Sequence, residues 1–213
     1  MKGGRSLLIC NKVANESMKS SRVQVNLLSC ITESRTGPRM PIDKDTLSYY
    51  NTHAENYAAR GLGEQTRDRL EEFATRLPPG GKVLELGCGG GHAIAAFQAL
   101  GFDVTAVDAS VELAKIASER TGIQVRVMDF EMLDYDEEFD GLWAHASLLH
   151  VPTRSRESVL RKVTQCLKLD GYLFASFKES KDDWTDVRPP VRCYDRRPDL
   201  HAIRRLWPDN RNR

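Results

Sequence analysis

With 213 residues, 40% of them apolar and 29% charged, the chain suits one folded α/β domain and not a disordered segment. No apolar run approaches the roughly 20 residues of a membrane helix. Five cysteines, an odd number with no C-x-x-C spacing, argue against a disulfide framework or a zinc site and for a reducing, cytoplasmic setting. The net charge of +1 is unevenly spread. Residues 1–39 carry seven basic and two acidic side chains, residues 40–180 fifteen and twenty-two, and residues 181–213 nine and six. An acidic middle argues against a broad nucleic-acid surface and for a small-molecule partner.

The chain opens with a basic extension over residues 1–39 that lacks a sustained period of 2 or 3.6. Leu7-Leu8-Ile9-Cys10 is shorter than the ~7–15-residue core of a signal peptide, and a short element over Val23 to Ile31 is the most the rest offers. Met40 is a candidate natural start, with a targeting peptide as the competing reading. The domain is expected over residues 40–180. Tyr50 and Tyr57, seven apart, fall on one face of a helix.

Val83-Leu84-Glu85-Leu86 then predicts a short buried strand. Gly87, Gly89, Gly90 and Gly91 with Cys88 force a tight turn, and Ala93 to Leu100 predicts a helix. Strand, glycine turn and helix together hold a nucleotide-like ligand at a helix amino end. The dinucleotide fingerprint G-x-G-x-x-G is broken, because His92 stands at its third glycine. Glu85 would repel a diphosphate but not an amine or sulfonium.

Phe102 to Asp108 predicts the next strand, and Asp108 follows Gly87 by 21 residues, the spacing of a ribose-binding carboxylate. A helix through Glu119, a strand from Gln124 to Phe130 that includes Asp129, and an acidic loop Asp134 to Glu138 come next. A strand from Phe139 to Ala146 carries His145, and His150 follows. A helix from Arg156 to Leu167 and a strand from Leu169 to Lys178 complete the alternation. This is the pattern of βαβ units, a mostly parallel sheet with helices on both faces.

The E-x-G-x-G-x-G of Glu85 to Gly91, with Asp108, Asp129-Phe130 and His145 at their spacings, resembles the class I S-adenosylmethionine-dependent methyltransferases. Leu148-Leu149-His150-Val151-Pro152 and Ala175-Ser176-Phe177-Lys178 look like a bacterial, tellurite-resistance-like subgroup. The resemblance implies a Rossmann-like fold and S-adenosylmethionine as cofactor. It places Gly87, Cys88, Gly89 and Gly91 in the cofactor loop, Glu85 toward the methionine end, Asp108 on the ribose, Asp129 and Phe130 beside the adenine, and His145 near methionine and substrate. Tyr50 and Tyr57 look like the family's helical lid. His145 and His150 are the candidate proton acceptors, with packing as the plain alternative. No metal pattern is present.

The family has seven strands, and only five are expected here. Residues 181–213 hold four prolines and eight arginines, which are poor strand material. Leu200 to Trp207 offers one short helix. Strands six and seven are expected to be missing, from truncation or a shifted reading frame, leaving a sheet edge bare. The expected activity is methyl transfer to a small molecule. The alternative is a protein that binds the cofactor without turnover.

Overall fold

The computed structural model describes residues 5–10, 42–177, 184–187 and 190–193, with residues 5–10, 177, 184–187 and 190–193 as backbone only. Six strands form the main sheet: β1 (Arg5–Cys10), β2 (Lys82–Leu86), β3 (Asp103–Asp108), β4 (Arg126–Val127), β5 (Phe139–His145) and β6 (Leu167–Phe177), in the order β1-β6-β5-β2-β3-β4. β6, β5, β2, β3 and β4 run parallel.

Alternation along the buried strands divides the core into two layers. Leu84, Leu86, Leu142 and Leu173 face one side with α6 (Arg156–Gln165), whose Val159, Leu160 and Val163 pack against them. Val83, Val104, Ala106, Trp143 and Phe174 face the other. There they meet Leu70 and Phe73 of α3 (Glu64–Ala74), Ile94 and Phe97 of α4 (His92–Ala99), and Ala114 and Ala117 of α5 (Val111–Thr121). Trp143 stacks on Phe174 with ring centroids 3.9 Å apart. The expectation of helices on both faces of a mostly parallel sheet therefore holds.

β2 leads through α4 to β3 on one side, while β5 leads through α6 to β6 on the other. The strand order reverses between β2 and β5, and a crevice opens beyond their carboxyl ends.

The lead-in helix is broken into α1 (Lys44–Thr52) and α2 (Ala54–Ala58) at His53. The Asp43 side chain caps α1 by accepting from the Thr46 amide at 3.1 Å. α3 carries no motif and was not anticipated. β4 has two residues in place of the expected seven, because Asp129 turns the chain into a 3-10 helix over Phe130–Met132.

Among the described residues no tail strand joins the main sheet, as expected of missing strands six and seven, but both ends add strands that were not expected. β1 pairs antiparallel with β6, from Arg5 opposite Phe177 to Cys10 opposite Tyr172. The edge of β6 expected to be bare is covered, and the first residues are not wholly irregular. The signal was the short apolar run Leu7 to Cys10. The tail also forms strands: β7 (Trp184–Val187) and β8 (Pro190–Cys193) make an antiparallel hairpin separate from the main sheet. Pro190 is tolerated because it is the first residue of its strand. β8 lies against α1 and the 3-10 helix Leu148–His150. Val23 to Ile31, Lys178 and Leu200 to Trp207 lie outside the described residues.

Candidate active site

A cleft of about 640 Å³, counting its open mouth, lies over the carboxyl ends of β2, β3 and β5. Gly87 and Gly89 form its floor. Asp108 and Leu113 line the β3 side, Met128, Asp129 and Phe130 the far flank, and His145, Ala146, Ser147 and His150 the β5 side, with Tyr50 and Tyr57 above.

Asp108 is the anchor. One carboxylate oxygen accepts the Gly89 amide at 2.8 Å, the other the Ser110 amide at 2.8 Å. Burial pushes its pKa up to about 6, and the backbone donors of Ser110, Gly89 and Ala109 oppose that rise. A carboxylate has about four lone-pair directions, so beyond these backbone donors acceptor capacity remains for a ligand hydroxyl. Asp129 accepts the Glu131 amide at 3.0 Å and the Ile42 amide at 3.1 Å. It thus ends β4 and ties the lead-in segment to the cleft, and partial burial raises its pKa.

The four glycines have separate tasks. Gly87 (φ +75°) and Gly89 (φ +53°) take left-handed backbone in the floor. Gly90 and Gly91 serve packing: a Cβ on Gly90 would lie 2.7 Å from the Ala58 Cβ, and one on Gly91 would lie 2.9 Å from the Ala117 Cβ. Glu85, Cys88 and Gly91, all expected at the cofactor, do not line the cleft. Glu85 sits on the α3–α4 face of β2, where the Ile94 amide bonds it. Burial first, and then the Asp108 charge, pushes its pKa well up. Cys88 is buried, and its thiol pKa is likewise pushed well up by burial.

The lead-in helices are strapped to the glycine loop and α5 by side chains whose sequence context implied no such role. His92 Nε2 lies 2.7 Å from the Ala58 carbonyl, which also accepts from Arg120 at 3.1 Å; Arg120 donates as well to the Gly90 carbonyl. The Ser110 hydroxyl donates to Asn51 at 2.7 Å. Tyr50 and Tyr57 meet edge to face, 5.2 Å between ring centroids. The pKa of Tyr57 is raised by burial and then by Asp108.

The two candidate histidines differ. His150 Nε2 lies 3.1 Å from the Tyr50 hydroxyl, inside the cleft. His145 is exposed at the rim, roughly parallel to the Trp143 ring, with Thr66 Oγ1 3.4 Å away. Partial desolvation and then the Arg69 charge lower its pKa. Among the described residues no cluster of His, Cys, Asp or Glu is placed to hold a metal, and no helix is long and apolar enough to cross a membrane.

Residues 84–175 match the methyltransferase domain family, a stretch running from β2 through β6 that contains the glycine loop, Asp108 and the β5 turn. These residues form a class I S-adenosylmethionine-dependent methyltransferase domain. The methyltransferase domain is similar to a ubiquinone biosynthesis O-methyltransferase of Xanthomonas axonopodis pv. citri (strain 306), 39% identical over 116 residues, 51% of this chain and 48% of that protein. The chain thus spans about half the length of the curated relatives it matches. Among solved structures, 1,6-didemethyltoxoflavin-N1-methyltransferase of Burkholderia thailandensis, with bound 1,6-didemethyltoxoflavin and S-adenosylhomocysteine, aligns with a TM-score of 0.50 at 27% identity, over 63% of this chain and 61% of that one. Magnesium protoporphyrin IX methyltransferase of Synechocystis PCC 6803, with bound S-adenosylmethionine, shares the fold at 19% identity and a TM-score of 0.50, over 62% of this chain and 74% of that one. These matches do not single out the tellurite-resistance-like subgroup.

Proposed function

We propose that this chain transfers a methyl group from S-adenosylmethionine to a small-molecule acceptor. The observation that carries the reading is Asp108: a buried carboxylate at the point where strand order reverses, held by the glycine-loop amide, with acceptor capacity to spare. The cleft suits the cofactor in other respects. Phe130 and Met128 give a flat apolar flank for an adenine beside Asp129, and the glycine floor allows close approach. The relatives that act on small molecules support the acceptor class, and the free buried Cys88 and Cys166 suit a reducing cytoplasm.

When bound, S-adenosylmethionine supplies a methyl group on a good leaving group. The protein's part is to orient and to exclude water. Tyr50 and Tyr57 close the upper wall, and the straps on Ala58, Asn51 and Ile42 keep that wall in place. His150 is the proposed general base, and the Tyr50 hydroxyl at its Nε2 sets its ring orientation. His145, at the exposed rim, is proposed as a contact for the outer part of the acceptor.

Calorimetric titration with S-adenosylhomocysteine, beside transfer of a radiolabelled methyl group to small-molecule extract, tests the reading. Binding with labelled product supports it. Binding with no product favours the reading without turnover, and no binding overturns both.

A further inference from the structure

We propose that the methyl acceptor carries an anionic group, a carboxylate or a phosphate, held at the mouth of the cleft by Arg69 of α3 together with Thr66 and His145; this rests on the methyltransferase reading above. His145 lines the cleft. Thr66 Oγ1 lies 3.4 Å from its Nε2, so the first turn of α3 stands against the rim. Arg69 follows Thr66 by three residues, which puts the two on one face of the helix. Both are half-buried. The fold holds that face in place, because Leu70 and Phe73 of α3 pack into the core with Trp143 and Phe174. The His145 ring is oriented as well, lying within 17° of parallel to Trp143 and 16° to Phe174. After desolvation, the Arg69 charge is the second cause that lowers the pKa of this imidazole.

The distribution of charge says what the mouth takes. Asp108 and Asp129 line the β3 and β4 side of the cleft, where the adenosine is assigned. Bases gather at the opposite side. Arg69 stands beside His145, and the Arg60 guanidinium lies over Tyr57, 5.5 Å from the centre of a ring that walls the cleft. A guanidinium binds a carboxylate or a phosphate through two parallel hydrogen bonds. The cofactor's own carboxylate is the competing anion. The cofactor, however, is assigned to the glycine floor, whereas Thr66 and Arg69 stand on α3, outside the residues that line the cleft. What reaches them is the outer part of an acceptor.

The test uses S-adenosylmethionine labelled in its methyl group and a small-molecule extract split on an anion-exchange column into unretained and retained fractions. Transfer from the whole extract first establishes the underlying reading. The retained, acidic fraction is then expected to accept the label and the unretained one is not. Phosphatase treatment of the acidic fraction separates the two sources: loss of transfer names a phosphate, survival a carboxylate. Arg69→Gln is expected to raise the half-saturating amount of the acidic fraction about tenfold, the worth of a hydrogen bond between charged groups. It is expected to leave S-adenosylhomocysteine affinity within about twofold and the melting temperature unchanged. Arg69→Lys should recover part of the loss, since it restores the charge without the planar fork. Transfer confined to the unretained fraction, or unchanged transfer in Arg69→Gln, overturns the assignment and leaves the methyltransferase reading standing. An equal loss of S-adenosylhomocysteine affinity puts the anion on the cofactor and also overturns it. No transfer from any fraction overturns both.

Discussion

The amide of Gly89 donates to the carboxylate of Asp108 across 2.8 Å, joining the glycine turn after β2 to the end of β3. One residue thus shapes the loop and lines the cleft. Asp108→Ala should weaken S-adenosylhomocysteine binding by more than tenfold, since it removes the proposed ribose acceptor and frees the loop amide. Calorimetry checks this, and unchanged affinity would contradict the assignment.

The same carboxyl sets a pH dependence. Its folded pKa is raised from 3.8 to about 6. Hydroxyls of a ribose donate best to the ionised form, so binding should weaken as pH falls through 6. Affinity at pH 5 should be about tenfold below that at pH 8, and the step should vanish in Asp108→Ala. For the ligand-free fold the sign is opposite. A raised carboxyl pKa contributes stability that is complete below pH 3.8 and lost as pH rises through 6. Ligand binding and stability should therefore respond to acid in opposite directions at this residue.

His150→Gln should lower turnover roughly a hundredfold or more while leaving cofactor affinity within about threefold. Tyr50→Phe should give a smaller loss of the same kind, because it removes only the 3.1 Å contact that orients the imidazole. His145→Gln should act chiefly on acceptor KM. Steady-state kinetics with an identified acceptor separates these outcomes. Equal losses at His145 and His150 would refute the division of roles.

Gly91→Ala and Gly101→Ala separate backbone strain from crowding. Both positions have positive φ, +78° and +86°. A Cβ at Gly91 meets the Ala117 backbone and side chain near 3 Å, whereas nothing lies within 4 Å at Gly101. Urea unfolding should show a loss of about 1 kcal/mol at Gly101 and about 2–4 kcal/mol at Gly91. Similar losses at both would mean that α5 yields easily.

Removing residues 1–12 should uncover β6, lowering the melting temperature and promoting association between exposed strand edges. Light scattering against concentration checks this. An unchanged, monomeric, equally stable product would show that β1 adds nothing.

The sequence by itself determined the order of strands and helices, because hydrophobic period and glycine spacing are local. It also determined the cofactor class, because Glu85 and His92 differ from the dinucleotide pattern at readable positions while Asp108 keeps the ribose spacing. It did not determine which way side chains face once the sheet is built. Glu85 turned to the helix side by strand alternation, and Gly91 proved to be a packing glycine, because only the assembled α5 lies against it. Arg69 carried no motif, and its charge reaches His145 only because α3 packs against β5. The partner of β6 was equally out of reach. A strand edge pairs through backbone groups common to every residue, so nothing local links Arg5–Cys10 to a strand more than 160 residues on.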